Sequence, residues 1–310
     1  MHTSTTSTVP LVSWTVAQLL EATQGYWLND QAPNTEIKRI LTDSRDAEAG
    51  DAFLALKGER FDAHAFITQV AEQGCQVAIV SQPIDAEICQ LVVPDTRLAL
   101  GQLGAYRRAQ NPQLKVIALT GSSGKTTTKE MLGSILSRIA PTLVTRGNLN
   151  NDLGVPVMLL ELRPEHQYAV MELGASHQGE IDYTSNLVQP LVAGIINIGT
   201  AHLGEFGGRD GICRAKSEIY AHIAPNGTSI VPAADDFADS IRQAVQTEQM
   251  LSFGAGGEIF ATEIELQAQS ATFKLNTPQG VRQVNLPFAG EHNVQNATAA
   301  AAFALAIGIS

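Results

Sequence analysis

Aromatic residues are scarce in this 310-residue chain, at 5%, and charged residues make up only 16%. Cysteine occurs three times, at Cys75, Cys89 and Cys213. The odd number and wide spacing exclude a disulfide framework and a CxxC metal clip. No apolar run approaches the roughly 20 residues that span a bilayer. The longest, Ala297 to Ile309, is Ala-rich and interrupted by Thr298. Basic residues are the minority sign, 20 Lys and Arg against 31 Asp and Glu, for a net charge of −11. Such a chain has no general attraction for nucleic acid or an anionic membrane, so any phosphate it binds is held by local chemistry. The N-terminal stretch has no basic start and no apolar segment, so no secretory signal is read and a cytoplasmic location is expected.

What is present is α/β patterning, with enough apolar residues (44%) for two cores. The fold expected is a small N-terminal α/β domain over 1–112 and a central, mostly parallel, doubly wound domain over 113–310. In the first, Ser13 reads as the N-cap of a helix through Trp14, Val16, Leu19 and Leu20 that closes near Gly25. Short strands over 37–56 surround two turns. A helix over 63–73, strands at 77–80 and 91–93, and a helix over 97–109 complete it. From Lys115 strand and helix alternate, with strands at 115–119, 142–145, 168–173, 191–198 and 228–231. Helices over 125–139, 153–162, 178–187 and 209–223 lie between or after them, the signature of a parallel sheet covered on both faces. Residues 258–288 read as antiparallel β, and an Ala-rich helix begins near 293.

The most specific motif is the strand Val116-Ile117-Ala118-Leu119-Thr120 followed by Gly121-Ser122-Ser123-Gly124-Lys125-Thr126-Thr127. Glycines let backbone N–H groups converge on a phosphate, and the helix N-terminus adds partial positive charge. Lys125 suits the β- and γ-phosphates, and the Thr126 hydroxyl suits Mg²⁺. Leu119 stands where the long form of the motif has its first Gly, so this is the shorter G-x-x-G-K-T form of a nucleotide-binding loop. The plainer alternative is an ordinary strand-to-helix turn.

Other polar groups end buried strands, where ligands gather in parallel sheets. Glu172 closes Val170-Met171-Glu172, as a metal ligand or as a capping or solvated acid. Asn148, Asn150 and Asn151 form an amide-rich stretch that suits a substrate or merely a turn. His202 follows the strand ending at Ile198, in a structural or a functional role. Lys216 lies in a helical stretch and by default reads as a surface lysine, with Glu218 a solvated neighbour. In the first domain Ser44, Arg45, Lys57 and His64 lie among short strands. Arg45 and Lys57 suit a diphosphate or are simply solvated charges.

Taken together, Thr120 to Thr127, Gly147-Asn148-Leu149-Asn150-Asn151 and Gly290-Glu291-His292-Asn293-Val294-Gln295-Asn296 give a chain that resembles the Mur ligase family. These are ATP-dependent ligases of bacterial peptidoglycan precursor synthesis, and hence of cell-wall biogenesis, cell shape and division. Three passages make it most similar to the members that add D-alanyl-D-alanine to UDP-N-acetylmuramoyl-tripeptide: Ala55 to His64, Glu172 to Ile181, and Ala201 to Gly207. The resemblance implies that ATP phosphorylates the peptide carboxylate, and that the amine of D-alanyl-D-alanine then attacks the acyl phosphate. It implies that Gly121, Ser122, Ser123, Gly124, Lys125, Thr126 and Thr127 cradle the ATP phosphates. By the same resemblance Thr126 and Glu172 hold one Mg²⁺, and Glu172 and His202 a second. Lys216 matches a lysine carbamylated by CO₂, which turns a cation into an oxygen ligand for Mg²⁺. Asn148, Asn150 and Asn151 match the tract near the γ-phosphate and acceptor, and Asn293 and Asn296 match adenine contacts. Ser44 and Arg45, with Lys57 and His64 nearby, match the part facing the UDP-sugar.

The family's third, Rossmann-like domain has no counterpart in this sequence. Because lid closure completes such sites, the chain alone is expected to bind the UDP-precursor and ATP, as a monomer, without turning over. The competing readings are a sister ligase adding another amino acid, a P-loop ATPase or kinase with a regulatory first domain, and a fragment that only binds.

Overall fold

The computed structural model describes residues 12–58, 61–200 and 203–310, with the backbone alone at Leu203. The chain divides into two units: residues up to Gln110 with Leu159–Arg163, and Asn111–Met158 with Pro164–Ser310.

The first unit runs α1 (Val16–Thr23), β1 (Tyr26–Trp27), β2 (Ile40–Leu41), β3 (Ala52–Leu54), α2 (Ile67–Glu72), β4 (Val77–Val80), β5 (Cys89–Val92) and α3 (Thr96–Ala109). Its sheet has the order β1-β5-β4-β3-β2, parallel except for the edge pair β1–β5. Val77 to Val80 are all buried, as a strand covered on both faces must be. The helix near the N-terminus starts later than its sequence suggests. Thr15, not Ser13, is the cap, in a reciprocal capping box with Gln18. Trp14 instead bridges to Ile37, and Ser13 donates to Glu36 at 2.6 Å. The expected helix over 63–73 opens as a 3-10 turn, Ala63–Phe66, capped by the Asp62 carboxylate before α2 begins.

The second unit holds β6 (Lys115–Thr120), α4 (Lys125–Ser137), β7 (Thr142–Val144), α5 (Gly154–Leu160, whose end belongs to the first unit), β8 (Tyr168–Glu172), α6 (Glu180–Val188) and β9 (Val192–Ile195). It continues with α7 (Leu203–Phe206), α8 (Arg209–Ser217), β10 (Thr228–Pro232), α9 (Ala238–Ala244) and β11 (Gln249–Phe253). A hairpin sheet β12 (Phe260–Leu266), β13 (Ala271–Thr277) and β14 (Gly280–Leu286) leads to α10 (Glu291–Ala306). The six-stranded sheet is wholly parallel, in the order β11-β10-β9-β6-β8-β7. β6 therefore lies where the winding reverses, and the carboxyl end of such a strand opens into a crevice. Ile117, Leu119, Leu132, Val170, Val192 and Phe303 belong to the core around it.

Two elements of the second unit differ from the sequence pattern. β11 was not expected because it is an edge strand with an exposed first half, so its apolar run is short. The helix expected over 209–223 stops at Ser217 and gives way to a 3-10 turn at Glu218–Tyr220.

Candidate functional site

β6 feeds straight into the loop Gly121 to Gly124, and α4 starts at Lys125. Gly124 is the N-cap of α4 and sits at φ +74°, where side chains are strained. A Cβ there would come within 2.2 Å of Asn296 Oδ1. Glycine is thus required twice over, by backbone conformation and by the close approach of α10. The hydroxyls of Thr120 and Ser122 are buried with no hydrogen-bond partner among the described residues. Buried, unpaired hydroxyls flanking a glycine loop at a helix N-terminus are the chemistry a phosphate would satisfy.

Lys125 folds back on this loop, its Nζ donating to Gly121 O at 2.9 Å. Burial pushes its ammonium below the usual lysine range, with Glu172 pulling the other way. The next residue, Thr126, donates from Oγ1 to Glu172 Oε2 at 3.2 Å, and Asn150 Nδ2 donates to Glu172 Oε1 at 2.8 Å. Glu172 ends β8 at 2% exposure. It is neither a helix cap nor a solvated strand end, so that alternative reading of the sequence is corrected. Its backbone N–H donates to Thr145 Oγ1 at 3.0 Å, fixing the strand end.

A buried carboxylate beside a hydroxyl is a hard-oxygen donor pair suited to Mg²⁺. Among the described residues no three His, Cys, Asp or Glu side chains gather to hold a metal.

Asn150 joins this cluster, and its two neighbours lie outside it. Asn151 Oδ1 accepts from Gly154 N at 2.8 Å and caps α5, while Asn148 is exposed. Lys216 is buried at 5% exposure, which corrects the surface-lysine reading. Burial first, and the Lys125 charge second, hold its ammonium down at about 8. Glu218 is not a solvated neighbour either. Its carboxylate accepts from Gly179 N at 2.8 Å and Asp182 N at 3.1 Å, at the start of α6. His202 lies outside the described residues.

Beside the loop is a cavity of about 270 Å³, lined by Ile196, Asn197, Asp235, Phe253, Val294 and Asn296 among others. Asn296 reaches both it and Gly124. Asn293 does not, and its Nδ2 donates to Ala289 O at 2.7 Å instead.

In the first unit Ser44 and Arg45 occupy a 3-10 turn, and the exposed Arg45 guanidinium is gripped by Asp43. That hydrogen bonding lowers the Asp43 carboxyl to about 2. Lys57 lies 3.8 Å from Asp62. His64 is buried, its Nδ1 2.5 Å from Asp62 Oδ1 and its Nε2 accepting from Ser81 N at 3.0 Å. With both ring nitrogens engaged inside the unit, this histidine holds its own turn.

Two residues escaped the sequence reading. Asn197 sits at the end of β9 against the glycine loop. Lys129 is fully buried one turn after Lys125, with its Nζ 3.4 Å from Gly147 O and 3.8 Å from Glu172. The (i, i+4) spacing from Lys125 was the available signal for Lys129.

This phosphate-loop architecture agrees with family models. The model described as "Mur ligase middle domain" matches residues 119–304, and "Mur ligase family, catalytic domain" matches 36–119. The chain belongs to the Mur ligase family. It is 43% identical over 301 residues to the UDP-N-acetylmuramoyl-tripeptide–D-alanyl-D-alanine ligase of Escherichia coli strain K12, covering 96% of this chain and 66% of that protein. The enzyme of the same name in Bacillus subtilis strain 168 is 34% identical, covering 97% of this chain and 65% of its own length. Among solved structures, MurF from Acinetobacter baumannii superposes with a TM-score of 0.96 at 78% identity, covering 97% of this chain and 67% of that one. MurF from Thermotoga maritima in complex with ADP has a TM-score of 0.81 at 27% identity, covering 88% of this chain and 64% of that one. This Mur ligase chain thus spans just under two thirds of the length of those curated relatives. None of its described helices is long and apolar enough to cross a membrane.

Proposed function

We propose that this chain is the precursor-binding and nucleotide-binding part of an ATP-dependent ligase that joins D-alanyl-D-alanine to UDP-N-acetylmuramoyl-tripeptide. The soluble, nucleotide-linked substrates of this reading go with a cytoplasmic location. The observation that carries the reading is the junction of phosphate loop and carboxylate: Gly121 to Thr126 beside Glu172, with Thr126 Oγ1 3.2 Å from Glu172 Oε2. The names of the relatives support the choice of acceptor and precursor.

In this reading the loop N–H groups and Lys125 bind the β- and γ-phosphates of ATP. Asn296 borders the cavity for the nucleoside. Thr126 and Glu172 would hold Mg²⁺, which neutralises charge on the transferring phosphoryl group when bound. The peptide carboxylate oxygen attacks the γ-phosphorus and the bond to the ADP oxygen breaks, giving ADP and an acyl phosphate. The D-alanyl-D-alanine amine then attacks the acyl carbon, loses a proton, and phosphate leaves as the amide forms. Lys125 stays beside the transferring group throughout and compensates its negative charge. Asn150, already fixed to Glu172, orients the carboxylate. Lys216, with its ammonium held down, presents more free amine for carbamylation by CO₂ than an exposed lysine does. In the first unit the Ser44–Arg45 turn and Lys57 offer donors for the diphosphate of the UDP-precursor.

Calorimetric titration with ATP, with and without Mg²⁺, tests the nucleotide half. Saturable binding that tightens with Mg²⁺ and is lost in Lys125→Ala is expected. Binding that is indifferent to both would overturn it.

A further inference from the structure

We infer that Asn197 is a positioning residue that holds the phosphate loop in its nucleotide-binding shape, an inference that rests on the loop being the ATP-phosphate cradle. β9 lies beside β6, and their backbone ladder continues past the strand ends, with Ile196 N donating to Thr120 O at 2.8 Å. The next rung joins Ser122 N to Asn197 O at 3.1 Å. Beyond it the side chain takes over. Asn197 Oδ1 accepts from Ser122 N at 3.1 Å and from Ser123 N at 3.0 Å, while Asn197 Nδ2 donates to Ser123 O at 3.0 Å. The amide pairs with the Ser123 peptide in both directions, as another strand would.

A glycine-flanked loop has wide conformational freedom, and this clamp removes it before any nucleotide arrives. The chemistry is specific to asparagine. An aspartate of the same shape keeps the acceptor but turns an oxygen toward Ser123 O and adds charge beside the phosphate site. Alanine removes both contacts. Asn197 is itself firmly placed, because the next residue is anchored on both sides. Ile198 N donates to Asp235 Oδ2 at 2.8 Å, and Ile198 O accepts from Arg209 Nη2 at 2.9 Å.

The test compares wild type, Asn197→Ala and Asn197→Asp for ATP binding by calorimetry and for adenosine binding by ligand-observed NMR. Adenosine carries no phosphate, so it reports the cavity that Asn197 also borders. ATP affinity is expected to fall about tenfold in Asn197→Ala and further in Asn197→Asp, with a much smaller loss for adenosine. Unchanged ATP binding, or equal loss for ATP and adenosine, would overturn the inference. Amide hydrogen exchange on ATP-free wild type decides the clamp even where a variant fails to fold. Slow exchange is expected at Ser123, whose N–H is held by the Asn197 side chain, and free exchange there would contradict it. Wild type that binds no ATP refutes the cradle reading instead, while the exchange result still decides whether Asn197 orders the loop.

Discussion

Thr126 and Glu172, 46 residues apart in sequence, meet through a 3.2 Å hydrogen bond from Oγ1 to Oε2. One opens α4 and the other closes β8, so the contact exists only because β8 pairs directly with β6, the strand that feeds the loop before α4. Glu172→Gln keeps the shape and removes the charge. It is expected to abolish most of the Mg²⁺-dependent gain in ATP affinity, about tenfold or more, while leaving Mg²⁺-free ATP binding in place. Titrations with and without Mg²⁺ check this, and an undiminished Mg²⁺ effect would contradict it.

Lys216 gives a pH prediction. Burial and Lys125 lower its ammonium from 10.5 to about 8 in the folded chain. Between about pH 8 and 10.5 the unfolded chain therefore binds the extra proton, so the stability contributed by this group rises with pH across that window. Lys216→Met is expected to flatten that rise in a series of denaturant melts. In ¹³C-bicarbonate, wild type is expected to show a Lys216 carbamate signal that grows as its amine loses the proton around pH 8 and then levels off, and Lys216→Met is expected to lack it.

Gly124→Ala meets two penalties, the left-handed backbone and the 2.2 Å approach to Asn296 Oδ1. The backbone alone costs about 1–3 kcal/mol. Adding Asn296→Ala is expected to recover the steric part but not the backbone part. A double-mutant cycle by chemical denaturation measures the coupling, and strictly additive losses would show that the close approach is not felt.

His64 and Arg45 are expected to separate cleanly. His64→Ala takes the ring acceptor away from the part-buried Ser81 N–H and the ring contact away from Asp62, which keeps its backbone cap, at a cost of about 1–3 kcal/mol in stability. Arg45→Ala, at an exposed turn, is expected to leave the melting temperature unchanged and to weaken UDP-precursor binding. Thermal melts with and without the precursor distinguish the two roles.

Much of this was legible in the sequence, for identifiable reasons. Val77 to Val80 and Val116 to Thr120 read as strands because burial on both faces demands unbroken apolar runs. The glycine loop read as a phosphate site because it combined strand, glycines and Lys-Thr in one stretch. Edge strands were harder, since β11 exposes half its residues and carries little pattern. The cap at Thr15 was available as Thr-x-x-Gln but was outweighed by the nearby Ser13. Long-range polar pairings were beyond reach. Nothing in sequence places Asn197 against Ser123, buries Lys129 under Gly147, or turns Glu218 toward Gly179, because each depends on which strands and helices become neighbours.

The most direct test of the proposed function is calorimetric titration of this chain with UDP-N-acetylmuramoyl-tripeptide, using the dipeptide form and free UDP as comparisons. The account predicts saturable binding with clear preference for the tripeptide form, weakened in Arg45→Ala. No saturable binding to any of the three would contradict it and leave a P-loop nucleotide-binding chain whose first unit has some other ligand.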